Sequence, residues 1–184
     1  ELNPKAWSDP PASVHLLAFG NLSASVNDLA IEAWCNDVQN PLVAPVVAKR
    51  YRGEVTDAQI RKFAHEFADA IIAVLSGGVP GIASTQIAFV SSRSGNKEIW
   101  AMDYDGSNQR QLTSLRSISL TPRWSPDATR IAFTCYAPAA GYVSAQICLY
   151  SMDTAKLVAF PRWRGTNSAP AWSPDGSKIM FMSS

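Results

Sequence analysis

Cysteine and histidine side chains are the first candidates for chemistry, because they bind metals, act as nucleophiles or bases, and form disulfides. The chain contains three cysteines, Cys35, Cys135 and Cys148, and two histidines, His15 and His65. The cysteines match no zinc-binding spacing, and neither histidine lies in a recognisable catalytic motif. We therefore expect no metal site, no cofactor and no catalytic residue.

Two other stretches resemble reactive sites but have simpler interpretations. The sequence DYDG, which begins at Asp103, suggests a calcium loop, yet an EF-hand needs a bidentate Glu where Ser114 stands. A hairpin turn is the better interpretation. His65 precedes Asp69 by four residues on a predicted helix, which favours a solvated pair, and His15 lies in a predicted strand as a packing residue.

Composition and charge exclude several classes of protein. Of the 184 residues, 47% are hydrophobic and 17% are charged, which is typical of a packed globular chain. A net charge of +1 gives no electrostatic reason to expect nucleic acid or an anionic membrane as a partner. No apolar run approaches the ~18 residues that a spanning helix needs, so we expect no membrane insertion.

A repeated sequence in the second half of the chain indicates which structural elements position the candidate residues. The segment TPRWSPDATRIAF, from Thr121, is nearly repeated as APAWSPDGSKIMF, from Ala169. The strand-like runs QIAFVS, RIAFTC and KIMFMS begin at Gln86, Arg130 and Lys178. Internal similarity with a period of 40 to 50 residues, roughly, indicates repeat architectures such as propellers.

Each repeat contains four short strand-like runs separated by turn residues, as in a propeller blade. Further runs are IWAMD and LYSMD, from Ile99 and Leu149, and RQLT, from Arg110, with KLVAF from Lys156 as its counterpart. The Trp-Ser-Pro-Asp strings receive a structural role: the indole fills the space between blades, and the turn leads from the last strand of one blade into the next blade. These motif residues are Trp124, Ser125, Pro126, Asp127, Trp172, Ser173, Pro174, Asp175 and Gly176. Ala128 stands where the second copy has Gly176, so its turn is either strained or of another type.

Cys135 and Cys148 end and begin adjacent strands of one predicted hairpin. Their Cα atoms could therefore fall within the ~4.4 to 6.8 Å that a disulfide requires. Strand alternation leaves open whether the two side chains face the same side. A disulfide between them is a hypothesis of the sequence.

The first 82 residues follow a different pattern. Three strands are predicted in residues 13–22, 28–35 and 45–53, joined by turn-forming residues. A helix follows, because Thr56 and Gln59 have capping-box spacing and apolar residues recur at helical intervals up to Leu75. We expect its apolar stripe to cover one face of the sheet, and Gly77 to end it.

The junction between these parts resembles the TolB family. LSGGVPGIASTQIAFVS, from Leu75, is similar to the point where the family's helix ends and its propeller begins. The preceding HEFADAIIAVLSG, from His65, the blade segment DYDGSNQRQLT and both Trp-Ser-Pro-Asp strings also fit. The resemblance implies an α+β domain over residues 1–82, with a three-stranded antiparallel sheet and one helix. It implies four-stranded all-β propeller blades over residues 83–184, about two blades and the first strand of a third.

The same resemblance implies an internal fragment of a six-bladed protein. The segment through which family members engage the inner-membrane protein TolA, and most of the face that binds Pal, would then lie outside it. Two blades cannot close a ring, so we expect open apolar faces, with residues such as Phe89, Trp100 and Phe181, and self-association.

By resemblance, the function is that of a non-enzymatic periplasmic scaffold. It would bind the peptidoglycan-associated lipoprotein Pal and other Tol or outer-membrane proteins, and help maintain the outer membrane during division. One alternative is the propeller of a serine peptidase, although no Gly-x-Ser-x-Gly motif occurs here. The other is a generic propeller that binds a ligand. Tyr142, in the longer loop of the second blade, is the candidate partner-binding residue, with a purely structural role as the alternative.

Overall fold

The computed structural model describes Trp7 and residues 14–40, 43–136 and 144–184. The chain divides into two compact units, Glu1–Thr85 and Gln86–Ser184. Within the described residues, no helix combines the length and apolar character needed to cross a membrane. Tyr142, the candidate contact residue, lies outside the described residues, and so does most of its loop.

The first unit contains a three-stranded antiparallel sheet. Its strands, in spatial order, are β1 (Leu16–Ala24), β2 (Leu29–Asp37) and β3 (Val47–Gly53). Burial alternates along β2, where Leu29, Ala33 and Cys35 are buried, because successive side chains point to opposite faces. Gly20 on β1 permits close pairing, since a Cβ atom there would lie 2.5 Å from the carbonyl oxygen of Glu32.

The helix of the described residues, α1 (Asp57–Leu75), packs on this sheet. The hydroxyl of Thr56 accepts a hydrogen bond from the backbone N–H of Gln59, so the predicted cap is present at the Thr side. Phe63 is buried and its ring stacks on Tyr51 of β3, with centroids 4.9 Å apart. The helix caps at Ser76, and Gly77 follows with a φ of 74°, as a left-handed C-terminal residue.

The described part of the second unit forms three antiparallel sheets. The first contains β4 (Gln86–Ser91), β5 (Glu98–Asp103) and β6 (Arg110–Gln111). The second contains β7 (Ile118–Trp124), β8 (Arg130–Tyr136), β9 (Gln146–Ser151) and β10 (Lys156–Val158), and the third β11 (Asn167–Trp172) and β12 (Ile179–Ser183). In each sheet, chain order equals spatial order.

The predicted position of the Trp-Ser-Pro-Asp turn is wrong. It does not lead from one blade into the next, because β7 pairs with β8 and β11 pairs with β12 across this turn. Each turn is therefore a hairpin inside one sheet. The tryptophan strand is the first strand of its sheet, and Ile179–Ser183 is a second strand and not the first. Among the described strands of the second unit, the β7–β10 sheet has the predicted four, and the other two sheets have three and two.

Successive sheets of the second unit pack on one another in a repeated way. Strand β11 packs on β7, β8 and β9 of the preceding sheet, and β7 packs on β4 and β5. The first strands of the second and third sheets also have an irregularity, between Leu120 and Arg123 in β7 and between Ser168 and Ala171 in β11. The bulged residues Thr121 and Ala169 have φ values of 51° and 54°. The same deformation thus recurs 48 residues apart, which shows that the repeat extends to backbone geometry.

The core of the second unit is formed by residues of its first two sheets. Its buried members are Ile99, Ile131, Phe133, Cys135, Cys148 and Tyr150. A disulfide joins Cys135 to Cys148, with Cα atoms 5.9 Å apart. Cys135 is opposite Gln146 in the register, so the two cysteines are two positions apart diagonally and share one face. Face orientation, which the sequence left open, therefore permits the bond.

Candidate functional site

The aspartates of the repeated turns accept hydrogen bonds from other residues of the same turns. Asp127 accepts bonds from the hydroxyl of Ser125 at 2.6 Å, and from the N–H and hydroxyl of Thr129 at 3.1 and 2.9 Å. Asp175 accepts the equivalent bonds from Ser173 at 2.5 Å and from Ser177 at 3.1 and 2.8 Å. These carboxylates fix turn geometry.

The same bonds change the acidity of both carboxyl groups. The hydroxyl of Ser173, followed by the N–H and hydroxyl of Ser177, lowers the pKa of Asp175 to about 2. Ser125 and Thr129 lower the pKa of Asp127 in the same way. A carboxyl group with a depressed pKa is a poor general base near neutral pH, so these residues are unsuited to proton transfer.

The two repeated tryptophans have different hydrogen bonding. The indole N–H of Trp172 donates to the backbone carbonyl of Arg123 on β7 at 3.0 Å, which ties the third sheet to the second. The indole nitrogen of Trp124 is buried and has no hydrogen-bond partner among the described residues. Trp124 nevertheless packs on the core cluster of the second unit, as Ala88 and Val90 of β4 also do.

Equivalent polar residues at the starts of β5 and β9 form hydrogen bonds to the loop that leads into the next sheet. In the first sheet the residue is Glu98, which is 2% exposed and accepts bonds from the hydroxyl of Thr113 at 2.5 Å and the N–H of Arg116 at 2.8 Å. In the second sheet the residue is Gln146, whose amide donates to the carbonyls of Trp163 at 3.2 Å and Gly165 at 3.1 Å.

Sequence reasoning missed this pair. The available signal is that Glu98 and Gln146 stand 48 residues apart, each directly before an apolar run. Burying a polar side chain without a partner is costly, so a polar residue at such a position indicates a specific hydrogen-bonding role. Here the role is to connect sheets.

Phe89, Trp100 and Phe181 do not form the open apolar surfaces that were expected. The guanidinium of Arg93 lies over the ring of Trp100, 4.6 Å from its centroid, and 5.8 Å from that of Phe89. Phe181 contacts Trp163, with centroids 4.8 Å apart. All three predicted residues are half-buried. The aromatic rings are therefore partly covered by neighbouring side chains, and stacking of Arg93 shields two of them.

Exposed apolar side chains occur on strand β12 of the third sheet. Met180 and Met182 of β12 are 75% and 67% exposed, and the period of two places them on one face. Strand β12 pairs only with β11 among the described strands. This edge of the second unit is apolar and has backbone groups free for pairing.

Asp69 forms hydrogen bonds to the segment that follows α1, and His65 lies near its carboxylate. Asp69 accepts bonds from the backbone N–H groups of Ala83 at 2.7 Å and Ser84 at 2.9 Å. Burial alone would raise the pKa of Asp69, but the bonds from Ser84 and Ala83 and the nearby His65 outweigh it and lower that pKa. The carboxylate thus anchors the chain after the helix.

Metal and thiol chemistry find little support in the described residues. No group of three or more His, Cys, Asp or Glu side chains is placed there to hold a metal ion. Cys35 is buried as a free thiol, and desolvation raises its pKa, which disfavours the reactive thiolate. The predicted blade motif residues form the two hairpin turns described above. The candidate contact residue, Tyr142, is not among the described residues.

The successive antiparallel sheets and their repeated hairpin turn define a protein of the β-propeller class. A family model described as the TolB beta propeller domain matches residues 75–184, more than half of the chain. The chain belongs to the TolB beta-propeller family.

Individual relatives agree with this family. A protein named "Protein TolB homolog" from Chlorobium chlorochromatii is 40% identical over 117 residues, which cover 64% of this chain and 26% of the relative. "Tol-Pal system protein TolB" from Nitrosomonas europaea is 41% identical over 65% of this chain and 27% of its own length. The chain spans about a quarter of these relatives. A crystal structure of TolB from Acinetobacter baumannii superposes with a TM-score of 0.79 and 25% identity, over all of this chain and 44% of that one.

Proposed function

We propose that this chain acts in a Tol–Pal envelope system as a non-enzymatic, protein-binding scaffold. Its supporting observation is the match of residues 75–184 to the TolB propeller family, with relatives that are named Tol–Pal system proteins. The partner is the lipoprotein Pal together with other Tol and outer-membrane proteins, and the role is maintenance of the outer membrane during division.

A periplasmic location is part of this proposal. The disulfide between Cys135 and Cys148 joins two buried side chains in the core of the second unit. Such structural disulfides persist in oxidising compartments, including the bacterial periplasm. The disulfide supports the location independently of the names of the relatives.

Titration with purified Pal tests the partner. The resemblance to a six-bladed family implies a binding face built from many blades, so we expect the present chain to bind Pal much more weakly than a six-bladed relative binds its own Pal. Isothermal titration of both pairs measures the difference. Equal affinity would show that the sheets of the present chain are enough to form the binding face. Failure of the six-bladed relative to bind its own Pal would exclude Pal as the partner.

A search for hydrolysis tests the non-enzymatic part. The turn aspartates are engaged in turn hydrogen bonds, and we expect no turnover of peptide or ester substrates. Turnover that disappears when a Ser or His of this chain is replaced would favour the peptidase alternative. Saturable binding of a small ligand, without Pal binding, would instead favour a generic ligand-binding propeller.

A further inference from the structure

Glu98 is a buried carboxylate that has no cationic side chain paired with it among the described residues. It accepts hydrogen bonds from two neutral donors, the hydroxyl of Thr113 at 2.5 Å and the backbone N–H of Arg116 at 2.8 Å. A carboxylate has about four acceptor positions, and buried charges are paired with an opposite charge or coordinate a metal. Glu98 therefore has a charge and acceptor capacity that these two bonds leave unbalanced.

Ser119 provides a second, independent observation. Its side chain is fully buried, and its hydroxyl oxygen has no hydrogen-bond partner among the described residues. The backbone N–H of Ser119 donates to the carbonyl of Lys97 at 2.7 Å, so the start of β7 lies beside the residue that precedes Glu98. A buried hydroxyl without a partner costs free energy, so this place favours a ligand for oxygen.

The next junction of the repeat shows which groups fill the equivalent place. Gln146 stands 48 residues after Glu98, and Asn167 stands 48 residues after Ser119. The amide nitrogen of Asn167 donates to the side-chain oxygen of Gln146 at 3.2 Å. Both amide nitrogens also donate to the carbonyl of Gly165, at 3.1 Å from Gln146 and 3.4 Å from Asn167. Neutral N–H donors thus hold this junction together.

The first junction cannot supply such donors from the same positions. Glu98 replaces an amide NH2 group by an oxygen that only accepts, and Ser119 is shorter than asparagine by an amide group. The side-chain oxygen Oδ1 of Asn167 is also without a partner among the described residues, but its neighbour Gln146 carries no charge. The first junction therefore combines a negative charge with the loss of the amide group that occupies the second junction.

We propose that Glu98 and Ser119 bind a small monovalent cation, sodium, between the first and second sheets. The carboxylate of Glu98 and the hydroxyl oxygen of Ser119 are its protein ligands, and water completes the shell, because hard cations prefer oxygen ligands. One positive charge balances one carboxylate. A site with a single carboxylate differs from the clusters of acidic side chains considered above, and it links β5 to β7. This inference rests on the repeat and does not depend on Pal.

Replacement of choline chloride by sodium chloride at constant ionic strength tests the site in the whole chain labelled with ¹⁵N. We expect a saturable shift of the backbone N–H signal of Arg116, which donates to Glu98. At a sodium concentration about five times the dissociation constant, the melting temperature should rise by about 2–4 °C, because the cation binds the folded state. Unchanged signals would overturn the proposal. A response to calcium without a response to sodium would contradict the single charge.

Variants separate the site from a general effect of salt. Glu98→Gln removes the charge, keeps the shape and introduces the residue of the equivalent position, so both sodium responses should be lost. Glu54→Gln, which removes an exposed carboxylate, is the matched control and should keep both. Ser119→Ala removes one ligand and should weaken sodium binding about threefold to tenfold, which tests the site even if Glu98→Gln does not fold. A sodium response that persists in Glu98→Gln, or equal losses in Glu98→Gln and Glu54→Gln, would contradict the assignment.

Discussion

Ala128 and Gly176 occupy the same place in two hairpin turns, and both have a left-handed backbone. Their φ values are 56° and 68°. An L-residue pays about 1–2 kcal/mol in this region, whereas glycine does not, although glycine also makes the unfolded chain more flexible. The structure therefore answers the question that the sequence left open: the turn at Ala128 has the same type and is strained.

Replacing Ala128 by Gly should raise the free energy of unfolding by up to about 1 kcal/mol, because the relieved strain exceeds the entropy of the unfolded glycine. The reverse change, Gly176→Ala, should lower it by about the same amount. A Cβ atom at Gly176 would have Pro126 Cδ as its nearest neighbour, at 3.5 Å, so its cost comes from the backbone and not from a clash. Urea unfolding measures both, and a less stable Ala128→Gly variant would contradict the argument.

The pKa of Asp175 predicts a pH dependence of stability. Its folded-state pKa is lowered from 3.8 to about 2, so folding is favoured by the ionised carboxylate. This contribution is fully present above the unfolded pKa and is lost as pH falls from about 4 towards about 2. In Asp175→Asn, the stability should change less over this interval than in the unmodified chain, as measured by unfolding at several pH values. Parallel curves for the two proteins would show that the turn does not select the ionised form.

At the scale of the element, the β8–β9 hairpin is cross-linked by the disulfide. The cysteines are 13 residues apart in sequence, and closing a loop of this size in the unfolded chain is worth about 3 kcal/mol. We expect one reactive thiol, Cys35, in the denatured, unreduced protein and three after reduction. Thiol counting measures this directly, and three thiols without reduction would exclude the bond.

Cys135→Ser should lower the free energy of unfolding by about 2–5 kcal/mol, since it removes a native disulfide from the core. Cys35→Ser provides the comparison, because it changes a buried cysteine that forms no bond. Denaturant unfolding under non-reducing conditions compares the two variants. A larger loss in Cys35→Ser would indicate that burial, and not the cross-link, dominates.

The elements themselves could largely be predicted, but the assignment of strands to sheets could not. Runs such as RIAFTC predict strands because apolar and β-branched residues fit a pleated surface, and the spacing of Thr56 and Gln59 predicts the start of the helix. The prediction misplaced the hairpin at Trp124 because a turn motif indicates only that the chain reverses direction. It does not indicate whether the two strands beside the turn pair with each other. That depends on bonds between strands, which the local sequence does not encode.

The hydrogen-bonding residues were predicted only in part for a similar reason. Glu98 and Gln146 each bond to a backbone group of a loop, 18 residues away for Glu98 and 19 residues away for Gln146. The partner of Trp172 is a carbonyl 49 residues away. Backbone groups are the same at every position, so the sequence cannot show which of them a side chain will meet.

At the scale of the whole molecule, self-association is expected from the edges of the second unit. Strand β12 exposes Met180 and Met182 beside an edge that has no partner among the described strands, and β4 has a similar edge. Exposed apolar edges favour pairing between chains. In sedimentation velocity, the average sedimentation coefficient should therefore rise with protein concentration.

Lysine in place of Met182 should reduce this rise, because charge on an edge strand opposes pairing. Lysine in place of Val74, which is also exposed but lies on α1 and not on a strand edge, is the matched control for the added charge. A monomer at every concentration would refute the expected association. An equal effect of both lysines would assign it to net charge and not to the β12 edge.

The position of the hairpin turn has a consequence for how such molecules change in length over evolution. Each tryptophan strand packs on the previous sheet while pairing within its own, so both described junctions place a tryptophan strand on an equivalent pair of strands, β4 with β5 and β8 with β9. A gene duplication that inserted one more period, cut at any point of the repeat, would reproduce those junctions unchanged. Selection on repeat number would therefore act on the closure of the ring, because each inserted period brings its own junctions with it.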